Sequence, residues 1–294
     1  MNKRYLHLII GLIIVIFSLY YAFKDVSISE VGRALHSVRY IYLFPALLSV
    51  AMSYYFRAVR WRYLISSVKK VKTTNLFAPL MIGFMGNMLP ARAGEIIRPY
   101  LLSKKENISF SASFATIFIE RLFDMSLVLL LLFWVLFFKT DVFMQGENGA
   151  GHALMGYMVK FGWVSLAGCM FIFVFSVLLQ YKNDWAMKVV NICIKPFPHT
   201  WGDKIIKLVH SFNEGLKILK DKRGFFATVI LSLLIWSLFV GTNFPLYMAF
   251  GINTEIPIIS SLVVLCLTVA IFITLFPTPG FLGSFQAAHV VALH

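Results

Sequence analysis

The chain is poor in acid and carries little cysteine. Only 13 of its 294 residues are Asp or Glu, against 27 Lys and Arg. Its three cysteines, Cys169, Cys193 and Cys266, stand far apart. That spacing excludes a paired redox or cysteine-based metal site and predicts no disulfide. There is no Gly-x-x-x-x-Gly-Lys-Ser/Thr run and no His-Glu-x-x-His among its seven histidines, so neither an ATPase loop nor a zinc-protease site is encoded. Strand-type alternation of the barrel kind is absent. No loop is large enough for a soluble catalytic domain. No metal and no cofactor are expected.

What the sequence does have is apolar length. Hydrophobic residues make up 59% of the chain and the mean hydropathy is +0.79, well above the 45–50% of ordinary soluble domains. An all-α polytopic membrane protein is predicted. Residues 5–23 follow a short basic start; they are longer than a signal-peptide core and lack a small-x-small cleavage site, so they read as an uncleaved first span. Further spans are predicted at 40–59, 109–138, 161–181 and 225–250. Two apolar segments are instead broken by Pro and Gly, at 76–102 and 257–286. The chain stops at His294 in a segment too short to span, which reads as a truncated last helix.

Charge orients these elements. Segments 1–4, 57–75, 91–110 and 182–223 carry 21 Lys and Arg, whereas 24–39, 139–160 and 251–256 carry 5. The asymmetry puts the N-terminus on the cytoplasmic side of a cell membrane. The net charge of +14 then faces anionic lipid, and no nucleic acid is implied. With this orientation the two broken segments enter from opposite sides. Residues 1–138 and 161–294 become an inverted repeat, each half with spanning helices and a re-entrant break. Residues 257–276 are also long enough to span outright; the repeat favours re-entry. Paired breaks of this kind point to a transport site between the halves.

The first break reads Asn87-Met88-Leu89-Pro90-Ala91-Arg92-Ala93-Gly94-Glu95, with Arg98 one turn on. Pro90 removes a donor and Gly94 permits close approach. A helix starting here attracts anions at its N-terminus, and Arg92 and Arg98 add planar forks suited to phosphate. The next helix carries Glu120, Arg121 and Asp124, about 16 Å from its start. Polar groups at that depth face protein or a water cavity. Arg92, Arg98 and Arg121 balance Glu95, Glu120 and Asp124, and such a network either closes on itself or opens to a head group. The second break contains Pro277, Pro279, Gly280 and Gly283, followed by Gln286. Arg57, Arg60 and Trp61 are expected to anchor the chain at the membrane interface. Residues 204–222 read as an amphipathic helix on the inner leaflet.

Together these runs resemble the lysylphosphatidylglycerol synthase transmembrane-region, or flippase-like, family. The matching elements are Arg57 to Trp61, Asn87 to Glu95, Glu120 to Asp124, and Pro277 to Gly280 with Gly283. The resemblance implies a lipid translocase whose polar site includes Asn87, Arg92, Glu95, Arg98, Glu120, Arg121, Asp124 and Gln286. Substrate classes are an anionic phospholipid or a polyprenyl-phosphate-linked lipid. Its partners would be membrane lipids and a lipid-modifying enzyme or glycosyltransferase. Relatives often carry a glutamate where this chain has Gln286, which argues against a cationic head group. The aminoacyl-transferase domain of the fused relatives is missing, so no enzymatic activity is expected. The rival readings are an intramembrane enzyme acting on lipid phosphates and a non-transporting scaffold.

Overall fold

In a computed structural model the described residues are 28–88, 92–138, 213–252, 257–275 and 278–293, with isolated positions between 160 and 211. Among them the chain is helical throughout, without strands. The predicted span 5–23 lies outside the described residues, as does most of 161–181.

A short amphipathic helix, α1 (Ile28–Ser37), occupies the predicted connection. A 3₁₀ turn over Tyr40–Tyr42 leads into α2 (Leu43–Ile65). The turn is pinned by Arg39, whose backbone N–H donates to the Ala249 carbonyl at 3.0 Å. Helix α2 has 23 residues, about 34 Å and enough to cross a hydrocarbon core. At its end the Ser66 N–H caps the Arg62 and Tyr63 carbonyls, groups that would otherwise lack a partner.

The predicted first break becomes two helices. α3 (Thr73–Gly86) has 14 residues, about 21 Å, too short to cross. α4 (Gly94–Glu106) returns with Glu95 in its first turn and Lys104 and Lys105 in its last, the arrangement that suits the helix dipole. It closes on Asn107 in the left-handed region, the usual helix-ending conformation. Three glycines let α3 and α4 touch. A Cβ on Gly94 would run into the Gly83 carbonyl oxygen, and one on Gly86 would sit 3.0 Å from the Gly94 Cα.

α5 (Phe110–Phe138) and α6 (Lys222–Phe250) are the long helices, with 29 residues each. α6 starts on an Asp221 cap to the Arg223 N–H and ends on Gly251 at φ +62°. Among the described residues it is the one helix both long and apolar enough to cross a membrane; α5 carries the Glu120, Arg121 and Asp124 charges. α7 (Ile258–Leu275) and α8 (Ser284–Leu293) flank the second break. α2 packs most extensively on α6 and α3 on α4, while α5 touches α2, α4, α6 and α7.

The main core holds Ala58, Trp61, Leu64, Leu80, Leu102 and Ile119. Outward faces stay apolar: Ile41, Phe44, Leu47, Phe226 and Ile230 are all exposed. Water penalises such a surface and lipid accepts it. One expectation is corrected here. The described end of the amphipathic segment does not lie open on a leaflet. Leu216 and Ile218 are buried in the main core, and Gly215 presses on Ala112 and Ala115.

Candidate functional site

The site begins with a helix face. Glu120 and Asp124 are four residues apart on α5, so both project the same way. Both are buried, and a buried carboxylate needs partners. Arg98 of α4 supplies the first pair, a fork with Nη1 and Nη2 on the two Glu120 oxygens at 3.1 and 2.8 Å. Arg60 of α2 supplies the second, with both Nη atoms on Asp124 at 2.7 and 3.2 Å and Nη2 also 3.1 Å from Glu120. Arg121 bridges the acids, 2.8 Å from Glu120 and 3.1 Å from Asp124. Planar two-point pairing of this type is what guanidinium does and ammonium cannot.

α6 completes the cluster. Ser232 Oγ accepts from Arg60 Nη1 at 2.8 Å, and the Trp236 indole lies 3.4 Å from Asp124. The network therefore joins α2, α4, α5 and α6. Trp61 forms its floor: Arg98 stacks 3.9 Å above the indole, which donates to Thr116 Oγ1 at 3.1 Å. Cation–π contact of this kind is worth most when desolvated.

Two sequence expectations change. Arg60 and Trp61 are not interfacial anchors, since each is 0% exposed; the two buried carboxylates Glu120 and Asp124 draw Arg60 in, and the indole fills the core beneath it. Arg57 is half-buried with its guanidinium 5.5 Å from the Phe84 ring. Arg92 leaves the predicted charge balance. It adopts φ +51° and donates to the Ile273 carbonyl at 2.7 Å, one of the last carbonyls of α7 that lack a helical partner. Arg60 takes its place among the acids. Ser232, Trp236 and Thr116 were not picked out from sequence. The signal for the first two was two polar side chains four apart in the apolar α6.

A cavity of about 30 Å³ opens beside the cluster, with Asn87, Glu95, Arg98 and Arg121 on its wall. This is room for a water-sized group. Several groups here are buried without a partner: Asn87 Oδ1 and the Nε atoms of Arg98 and Arg121. The Arg121 side chain is 36% exposed, against 0% for Glu120, so the cluster is sealed on the Glu120 side and open at Arg121. Among the described residues no group of His, Cys, Asp and Glu is placed to hold a metal.

The second break meets the first. The Gly280 N–H donates to the Met88 carbonyl at 2.9 Å. Gly280 and Gly283 take φ +66° and +84°, values that favour glycine. Pro90 and Pro277 lie outside the described residues. Gln286 turns back to accept from the Gly283 N–H at 2.7 Å, the reciprocal half of a capping box at the start of α8. Its amide is thus engaged with the backbone.

The chain matches the family described as Lysylphosphatidylglycerol synthase TM region over residues 8–294. It is similar to a UPF0104 membrane protein of Methanocaldococcus jannaschii, 28% identical over 182 residues, covering 59% of this chain and 68% of that one. A UPF0104 membrane protein of Pyrococcus horikoshii is 24% identical, covering 85% of this chain and 75% of that one. The Glycosyltransferase AglD of Haloferax volcanii is 23% identical over 84% of this chain but only 43% of its own length. No solved structure matches. With a family match over nearly its whole length, the chain is a membrane protein belonging to the lysylphosphatidylglycerol synthase TM-region family.

Proposed function

We propose that the chain is a multi-pass lipid translocase of the cytoplasmic membrane, N-terminus inside, moving a phosphate-bearing lipid without covalent chemistry of its own. The observation that carries this reading is the buried arginine–carboxylate cluster with its one open side. Burying several charges among apolar helices is expensive. A purely structural cluster has no reason to leave Arg121 part-exposed beside a cavity with unpartnered donors. A head-group phosphate has the geometry those donors lack. The two breaks, bonded to one another at Met88 and Gly280, fit an inverted repeat with re-entrant segments around a central site. The charge asymmetry of the loops supports the orientation. Similarity to part of a protein named a glycosyltransferase fits a partnership with an enzyme of lipid-linked chemistry.

The test is leaflet-resolved lipid movement in proteoliposomes. Arg121→Gln, which leaves the Arg98 and Arg60 pairs with Glu120 and Asp124 in place, is expected to slow movement of a fluorescent phospholipid at least about tenfold, the equivalent of one charge-assisted contact. Wild-type movement equal to that of protein-free vesicles would overturn the proposal.

A further inference from the structure

The second half of the chain does not stand apart from the first as one body. α6 is fastened to the first half along its length. Near its start the Phe225 ring lies 5.6 Å from that of Phe123 on α5. Midway Ser232 accepts from Arg60 at 2.8 Å, and Trp236 adjoins Asp124. At its end the Ala249 carbonyl accepts the Arg39 N–H at 3.0 Å. Parting buried charged groups from their partners is costly, so α6 belongs mechanically with α2 to α5.

α7, the second break and α8 form a separate arm. Leu265, Val269 and Ala288 share one core. Across the break the Thr278 and Ser284 hydroxyls lie 3.0 Å apart, and Ser284 Oγ donates to the Phe281 carbonyl at 3.1 Å. The arm is gripped near the start of α7. There the Tyr247 and Ser261 hydroxyls lie 3.0 Å apart, and Asn243 Nδ2 donates to Cys266 Sγ at 3.2 Å. Val263 and Leu267 share a core with Leu132 and Val135 of α5. At the far end two hydrogen bonds cross to the first break, Arg92 to the Ile273 carbonyl and the Gly280 N–H to the Met88 carbonyl. Neither acceptor is charged, so this end is held more weakly than the buried cluster. Its backbone is also constrained. Arg92 at φ +51° and Phe281 at φ +59° are two of the three described non-glycine residues in the left-handed region, and such residues persist only where surrounding contacts hold them.

Resting on the translocase reading, we infer that α7 and α8 swing as one lever against a body made of α2 to α6, with the pivot at Tyr247 and Ser261 and with Arg92 as the latch. The moving boundary then falls between α6 and α7, and not between the two sequence halves as in simple rocking of repeats. Ser261 and Ile273 both lie on α7, about 18 Å apart along the helix, so a turn of about 10° at the pivot carries Ile273 about 3 Å from Arg92 and parts the latch. Asn87 adjoins Met88, and Glu95 lies three residues after Arg92. Both line the cavity of about 30 Å³. A space of that size admits water and little more, so a larger group reaches Arg98 and Arg121 only with the latch open. The structure is the latched state.

The experiment is hydrogen–deuterium exchange with mass spectrometry on the purified chain in nanodiscs, with lipid movement measured on the same variants in proteoliposomes. Arg92→Gly removes the guanidinium and leaves a residue at ease at positive φ, so the bend itself is retained. It is expected to speed exchange about tenfold or more in the peptide carrying Gly280 and Gly283, the equivalent of one lost charge-assisted hydrogen bond. Peptides around Arg60 and Ser232 are expected to stay unchanged. Arg92→Lys, which keeps a cationic donor, is expected to fall between wild type and Arg92→Gly, and it carries the test alone if Arg92→Gly does not fold. Unchanged exchange around Gly280 overturns the latch. Faster exchange around Ser232 together with Gly280 overturns the boundary between α6 and α7, because the second half then loosens as a whole. Local opening of the arm in a protein that moves no lipid overturns the translocase reading and leaves the lever standing; lipid movement with exchange unchanged in the variants does the reverse.

Discussion

Glu120→Gln removes one charge and almost no volume, which makes it the sharpest probe of the cluster. The wild-type carboxylate takes two contacts from Arg98 at 3.1 and 2.8 Å, one from Arg60 at 3.1 Å and one from Arg121 at 2.8 Å. Glutamine keeps one acceptor oxygen and turns the other position into an NH2 donor facing a guanidinium. Three arginines are then left against Asp124 alone. Removing one partner of a buried ion pair costs about 3–5 kcal/mol, because the remaining charge is stranded. At about 2–4 °C per kcal/mol for a chain of this size, the melting temperature falls by about 10 °C. Thermal unfolding followed by tryptophan fluorescence in detergent reads this directly, since Trp61 and Trp236 adjoin the cluster. The decisive comparison is a double-mutant cycle with Arg98→Gln. If the fork is real, the double variant loses less than the two singles together, by at least about 1 kcal/mol. A Glu120→Gln melting point within about 1 °C of wild type, or additive losses in the cycle, would refute the reasoning.

Two further outcomes follow from the same framework. Gly94→Ala drives a Cβ into the Gly83 carbonyl and is expected to cost about 1–3 kcal/mol or more, seen as lost monodisperse protein on size exclusion; Gly32→Ala, where a Cβ meets nothing within 4 Å, is the control, and equal behaviour of the two would sink the close crossing of α3 and α4. At the far end of α4, the hydrogen bond from the Lys69 ammonium, 2.9 Å away, and that from Asn75 hold the Glu106 carboxyl below its ordinary 4.5; the stabilisation is present above that value and is lost as pH falls through the lower folded one, so Lys69→Met is expected to flatten the decline in melting temperature between about pH 5 and 3, and an unchanged profile would contradict the pairing.

The sequence made the breaks and the acids legible because their physics is local. Pro and Gly interrupt a helix wherever they fall, and Glu120 and Asp124 share a face by spacing alone. Arg98 was legible for the same reason: it lies one turn beyond a helix start that immediately precedes the acidic helix. Arg60 and Trp61 were not. A cluster of Arg and Trp at the end of an apolar run is what an interface anchor looks like, and only the neighbours of α2 in space decide otherwise. A hint was present: Ala58, Trp61, Leu64 and Ile65 line one buried stripe, and Arg60 stands one turn from Leu64 on its edge. Arg92 was placed wrongly in the charge balance because its partner is a backbone carbonyl 181 residues away, and carbonyls leave no mark in a sequence. Ser232 and Trp236 belong to the second half for the same reason of distance.

That distance bears on how the protein is made. The ribosome adds about 5–20 residues per second, so Arg92 emerges roughly 10–35 s before the Ile273 carbonyl that receives it, and Met88 waits as long for Gly280. During that interval the bend lacks both the Ile273 carbonyl that receives Arg92 and the Gly280 N–H that bonds Met88. The bend at Met88 and Arg92 is therefore closed by groups that are synthesised later, the Ile273 carbonyl and the Gly280 N–H.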